Sequence, residues 1–119
     1  MNTPSEDALR QSPAVGAIWE TFVFAQLRAR ERRAGRTGKL FFWRDRTREV
    51  DFVADIGGKL ELFEAKWTEL PSESDTANLD FVREVVGKKK AVSGVVVSRT
   101  PNGYPLANGF RILSVSELG

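Results

Sequence analysis

Four side chains near the middle of this 119-residue chain have types and spacing that can do chemistry: Glu49, Asp51, Glu64 and Lys66. They lie on two arms, each alternating polar and apolar residues, with Gly57-Gly58 between them as a two-residue hairpin signal. Such a turn sets the register. Ile56 falls opposite Lys59, Phe52 opposite Phe63, Asp51 opposite Glu64 and Glu49 opposite Lys66. Side chains two apart in a strand share a face, so the four polar groups converge on one side. Val50, Phe52, Phe63, Ala65 and Trp67 fall on the other, which reads as core. Two carboxylates opposed at about 5 Å repel by about 3 kcal/mol at an effective dielectric near ~20. A divalent cation reverses that sign, since Mg2+ is held by one or two carboxylates and keeps its remaining waters. On the hairpin alone the alternative stands equally: a solvated face with Glu49–Lys66 as an ordinary cross-strand ion pair.

The elements that must position these groups follow from periodicity. Residues 1–12 carry little pattern and are expected to be a flexible lead-in to a single domain over 13–119. A helix begins with Ser12 as N-cap and Pro13 in its first turn. Its stripe is Val15, Ile18, Trp19, Phe22, Val23 and Leu27, with Glu20 beside it; the helix frays over 28–33 and stops near Gly35. Leu40 to Trp43 is an apolar run, expected to be a strand buried on both faces, and Asp45 to Thr47 a turn into the hairpin. After a polar loop from Leu70 to Thr76, a second helix is expected from Ala77 to about Val86, ended by Gly87. Ser93–Ser98 reads as a buried strand, residues 100–109 as a turn-rich loop, and Phe110–Val115 as a last strand. The order α-β-β-β-α-β-β describes an α/β (α+β) domain, a mixed sheet flanked by helices.

Composition narrows the chemistry. There is no histidine and no cysteine, which excludes Ser-His-Asp and Cys-His nucleophiles, disulfides and His- or Cys-ligated zinc. No Gly-rich phosphate loop occurs, so catalysis would rest on carboxylates, lysine, Tyr104 or a metal held by oxygen. Net charge is only +2, but it is unevenly spread. Arg28, Arg30, Arg32, Arg33, Arg36, Arg44, Arg46 and Arg48 crowd one stretch, and Lys88, Lys89 and Lys90 form a second knot. Both are the electrostatic footprint of a polyanion partner, or a solvated face. Trp43 and Trp67 could stack on bases, although strand aromatics belong more often to a core. With no signal-like leader and no long apolar run, the expected location is cytoplasmic, with no membrane partner.

Asp51, twelve residues, then Glu64-Ala-Lys66 resembles the D…(D/E)-x-K signature of the PD-(D/E)xK nuclease-like superfamily, whose restriction-endonuclease-like core has the same α-β-β-β-α-β order. A longer constellation is more specific: Gly16-x-x-x-Glu20-x-Phe22-Val23, Phe42 to Asp45, Glu49 to Val53, and Glu64-Ala65-Lys66. It resembles the uncharacterised C-terminal domain of a family of prokaryotic AAA-type ATPases, over about Pro13 to Leu118. Val50 stands where a proline often precedes the aspartate, and the Gln-x-x-x-Tyr element of the RecB-like branch has no counterpart after Lys66.

The resemblance implies Mg2+- or Mn2+-dependent hydrolysis of nucleic-acid phosphodiesters, of DNA rather than RNA. Asp51, Glu64 and Glu20 would hold the metal. Lys66 would complete the catalytic set by orienting the attacking water or stabilising charge on the phosphoryl group. Arg32, Arg33, Arg44, Arg46, Arg48 and Lys88–Lys90 would grip phosphates. The resemblance also implies an ATPase module on the same or another chain and leaves room for a homodimer. The competing expectation is a catalytically silent domain that docks on its ATPase or binds DNA without cutting it.

Overall fold

The computed structural model describes residues 13–35, 40–44 and 49–118, without the side chains of Pro13 and Arg44. The lead-in, the Ser12 cap, Arg36, Lys39 and the turn with Arg46 and Arg48 lie outside the described residues. Helix α1 runs Pro13–Arg33, followed by strands β1 (Leu40–Arg44), β2 (Glu49–Ile56) and β3 (Lys59–Lys66). A 3-10 turn (Glu73–Thr76) leads into α2 (Ala77–Val86), then β4 (Ala91–Ser98), β5 (Tyr104–Pro105), β6 (Arg111–Ser114) and a closing 3-10 turn (Val115–Leu118). The six strands form one mixed sheet in the order β1-β2-β3-β4-β6-β5. β1, β2 and β3 pair antiparallel, while β3–β4 and β4–β6 are parallel.

The β2–β3 hairpin has the register that its turn demands, from Ile56 opposite Lys59 to Phe52 opposite Phe63. Gly57 and Gly58 both have positive φ, +62° and +86°, the requirement of a tight turn whose twist matches the strands. Asp55 Oδ1 accepts the Gly58 N–H at 2.9 Å and closes it.

One helix covers each face of the sheet, because alternate strand residues are apolar on both sides. On one face Leu79 and Val82 of α2 pack with Val50, Val53, Leu60, Leu62, Val96, Phe110 and Ile112. On the other, Trp19, Val23 and Leu27 of α1 pack with Phe52, Ala54, Phe63, Val95, Val97 and Leu118. The Trp19 indole N–H also donates to the Val97 carbonyl at 3.2 Å, fixing the height of α1 on the sheet.

Five expectations are corrected here. β1 is not buried on both faces: it is the outermost strand, with one neighbour, and Phe41 and Phe42 are 43% and 64% exposed. The buried stripe of α1 is the four-residue row Val15, Trp19, Val23, Leu27, and Ile18 and Phe22 face outward. A helix lying on one sheet face can bury only such a stripe. α1 does not fray after Leu27. It stays helical to Arg33, where Glu31 is buried and bonded to Arg30 at 2.8 Å. Val50 and Phe52 do not share a face. β1 pairs Phe41 with Val53 but Trp43 with Val50, so two residues of β2, Asp51 and Phe52, stand against Phe42 alone. That bulge reverses the alternation and sends Val50 to the α2 side and Phe52 to the α1 side. Finally, the loop over 100–109 contains β5, which pairs with β6 through Tyr104 opposite Ile112.

Gly94 shows how tightly β4 is packed: a Cβ there would run into Cδ1 and Cε1 of the Phe110 ring. That ring is buried and held from its other side by the Arg83 guanidinium, 4.0 Å from its centre. Gly94→Ala should therefore destabilise the domain by about 1–3 kcal/mol, read by denaturant unfolding, whereas Gly16→Ala on the open surface of α1, the control, should leave it as stable or more so.

Candidate active site

The regular β2–β3 ladder ends at Phe52–Phe63, and side chains take over from backbone carbonyls. The Asp51 N–H donates to Glu64 Oε1 at 3.2 Å, and the Ala65 N–H donates to Asp51 Oδ2 at 2.9 Å. Each carboxylate thus stands in for a carbonyl of the opposite strand, which is how the sequence holds two acids side by side. Glu64 is 2% exposed and Asp51 half-buried. Lys66 Nζ lies 3.7 Å from Glu64 Oε2 with its side chain 40% exposed, so it reaches from the buried acid into solvent.

The electrostatics follow from that crowding. Burial pushes the Glu64 carboxyl up to about 8; the Asp51 charge beside it adds to the rise, and Lys66 and the Asp51 N–H offset only part. Asp51 is also raised, by burial first, against the Ala65 N–H and Lys66, with the Glu49 charge adding to the rise. Both shifts favour a proton held by the pair near neutral pH, one that a cation would displace.

Beside the pair opens a cavity of about 490 Å3 lined by Glu20, Phe42, Trp43, Glu49, Val50 and Asp51. Glu20 arrives from α1, the others from β1 and β2. The structure therefore brings Asp51, Glu64 and Lys66 together, with Glu49 and Glu20 lining the same cavity as Asp51. It does not draw Glu20, Asp51 and Glu64 into one ligand set: among the described residues no three carboxylates gather to hold an ion. Two suffice for Mg2+, which takes its other positions from water and phosphate. The donors present are hard oxygens, buried and short of positive charge, and they fit such a cation.

The basic residues divide by position. Lys88, Lys89 and Lys90 are exposed at the entry to β4, where the Leu60 N–H donates to the Lys90 carbonyl. That is roughly 15 Å along the strands from Glu64. Arg32 and Arg33 are exposed at the end of α1, roughly 20 Å along the helix from Glu20. Both groups sit at the hairpin-turn end of the sheet rather than beside the acids. Arg30 is committed elsewhere, to Glu31, to Glu61 at 3.6 Å and to the Phe63 ring at 5.0 Å. Among the described residues of the basic set, Arg44 is the one at the acid end, its backbone opposite Glu49; Arg46 and Arg48 lie outside the described residues. Trp67 packs edge-on against Trp19 and under Arg99, and Trp43 against Phe81, so both belong to the core.

Phe42 is the cavity residue that sequence reading missed, because a four-residue apolar run looks the same at the centre and at the edge of a sheet. The signal available was position: β1 precedes a hairpin and has no later strand obliged to cover it.

Fold and site together define a mixed-sheet α/β domain, with two α-helices among the described residues and a paired-carboxylate and lysine centre at the end of an antiparallel hairpin. Residues 15–118 match the family described as Domain of unknown function (DUF4143), and the chain belongs to that family. No curated protein and no solved structure matches it. Among the described residues no helix is long and apolar enough to cross a membrane.

The raised Glu64 carboxyl makes a prediction about stability in metal-free buffer. Between pH 4.5 and about 8 the folded chain keeps a proton on Glu64 that the unfolded chain releases, so stability falls as pH rises through that window. The loss is on the order of a few kcal/mol. Denaturant unfolding across the window should show this slope in the wild type and a flatter one in Glu64→Gln; equal slopes would contradict the assignment.

Proposed function

We propose that this domain is a divalent-metal-dependent nuclease of PD-(D/E)xK type, acting on nucleic-acid phosphodiesters, DNA in preference to RNA. The observation that carries the reading is the reciprocal pair of Asp51 and Glu64, buried against mutual repulsion with Lys66 3.7 Å away. Asp51 and Glu64 would hold Mg2+ or Mn2+, with Glu20 acting across the cavity through water. The cation, when bound, supplies Lewis-acid polarisation of the phosphate and a more acidic water. The remaining work belongs to the chain. Asp51 and Glu64 are each pinned by a backbone N–H, so their outer oxygens meet the ligand without reorganisation. Lys66, one end at Glu64 and the other in solvent, orients the attacking water or neutralises charge growing on the phosphoryl oxygens. Arg44, whose backbone lies opposite Glu49, would contact phosphate beside the acids. Arg46 and Arg48, outside the described residues, are phosphate contacts expected from the sequence alone. Lys88–Lys90, Arg32 and Arg33 would meet a polyanion only at the other end.

A second reading, a silent domain docking on an ATPase module or on another copy of itself, is favoured by the outward Ile18 and Phe22 on α1.

The two readings separate on three substitutions. Saturating Mg2+ or Mn2+ should raise the melting temperature of the wild type, since a ligand at ~100 times its Kd adds about 2.7 kcal/mol. Asp51→Asn and Glu64→Gln should abolish that shift. Lys66→Ala should keep it while lowering cleavage by about 100- to 10,000-fold. An unmoved melting temperature together with uncut DNA and RNA would leave the docking reading.

A further inference from the structure

Phe42 is the most exposed aromatic side chain of the described residues, and it stands on a wall of the cavity that Asp51 lines. Its position is set by the β2 bulge. β1 faces β2 with Phe42 alone against Asp51 and Phe52, so the Phe42 backbone is one strand spacing, about 5 Å, from that of the acid. The ring is held from behind by Phe24 and Phe52, with centroids 6.1 and 6.0 Å away, and Phe24 and Phe52 lie 5.3 Å apart. The three rings thus make a triangular cluster whose Phe42 corner is open to solvent. A strand chosen for stability alone would place a polar residue at an exposed edge position beside carboxylates. The carboxylates on this wall repel a phosphate backbone unless a cation is present, so an apolar ring there suits the uncharged part of a nucleotide.

We infer that Phe42 is the stacking platform for a nucleobase whose neighbouring phosphate lies at Asp51 and Glu64, and that the substrate is therefore single-stranded or frayed nucleic acid. The inference rests on the nuclease reading and adds the substrate class to it. A base inside a duplex has both faces occupied by its neighbours, so it cannot lie on a protein ring without leaving the helix. Stacking on an aromatic ring is tolerant of sequence, because every base presents a π face. The site thus selects strandedness rather than sequence. Trp43, the next residue and also on the cavity wall, is less open: it is half-buried and packs on Phe81.

The test uses the intact chain, Ca2+ in place of Mg2+ to limit cleavage, and two probes: an oligothymidylate with one 2-aminopurine, and a hairpin duplex with the same reporter. Phe42→Leu keeps an apolar side chain against Phe24 and Phe52, and Phe42→Trp keeps the ring. Wild type and Phe42→Trp should quench 2-aminopurine in the single strand. Phe42→Leu should lose the quenching and bind that strand about 5- to 150-fold more weakly. Its affinity for the hairpin should stay at the wild-type level. Equal affinity and equal quenching in wild type and Phe42→Leu would overturn the inference and leave Phe42 as an edge contact for protein. So would tighter binding of the hairpin than of the strand, or no binding of the strand by wild type. Mg2+-dependent cleavage that survives in a Phe42→Leu protein with unchanged single-strand affinity would sink the stacking role alone. Stacking lost in Phe42→Leu but with no metal-dependent cleavage in wild type would sink the nuclease reading alone.

Discussion

Asp51 and Glu64 each accept a backbone N–H from the opposite strand, and those two bonds decide where the β2–β3 hairpin stops being a ladder and becomes a site. Burying two like charges next to one another is costly. The cost appears here as a Glu64 carboxyl raised to about 8. A fold under selection for stability alone would replace either acid with an apolar or hydrogen-bonding residue. The bonds to the Asp51 and Ala65 amides make the arrangement tolerable without removing the repulsion, and they hold the outer oxygens fixed. A buried pair of acids whose pKa values are raised in this way is a candidate site for positive charge.

Much of the surrounding architecture serves to place that pair. The Gly57-Gly58 turn fixes which residues of β2 and β3 meet, and β4 pairs in parallel with β3 to close the other side of Glu64, opposite Val96. The bulge at Asp51 turns Val50 into one core layer and Phe52 into the other, which anchors the strand on both sides of the acid. α1 is locked to the sheet by Trp19 and so carries Glu20 to the wall of the same cavity. Among the described residues, Lys88–Lys90 and Arg32–Arg33 lie at the opposite end.

What was legible in the sequence depended on how local its cause was. The hairpin register came from a two-glycine turn and strict alternation, both local, and it holds pair for pair from Ile56–Lys59 to Phe52–Phe63. α2 was legible for the same reason, down to its ends at Ala77 and Val86. The bulge was not, because nothing in Glu49-Val-Asp-Phe distinguishes a regular strand from one shifted by its neighbour β1. The exposure of Phe41 and Phe42 was hidden too, since edge position is a property of the whole sheet. Nor could arginine and lysine counts reveal that one basic group is spent on Glu31, Glu61 and Phe63 and others sit far from the acids. Charge clusters in sequence say nothing about direction in space. Asp51, Glu64 and Lys66 do meet, but the ladder pairs Asp51–Glu64 and Glu49–Lys66 that the turn predicts are replaced by side-chain bonds to backbone N–H groups beyond Phe52–Phe63. Glu20 lines the cavity without joining a ligand set among the described residues.

If the pair exists for a cation, the cation must displace the Glu64 proton. Calorimetric titration of Mn2+ into the domain near neutral pH, repeated in two buffers of different ionisation enthalpy, measures that displacement directly. One Mn2+ should bind per chain with release of nearly one proton, and Glu64→Gln should abolish both the binding and the buffer dependence. Mn2+ binding with no proton release in the wild type, or equal binding by Glu64→Gln, would contradict the assignment of this pair as the metal centre.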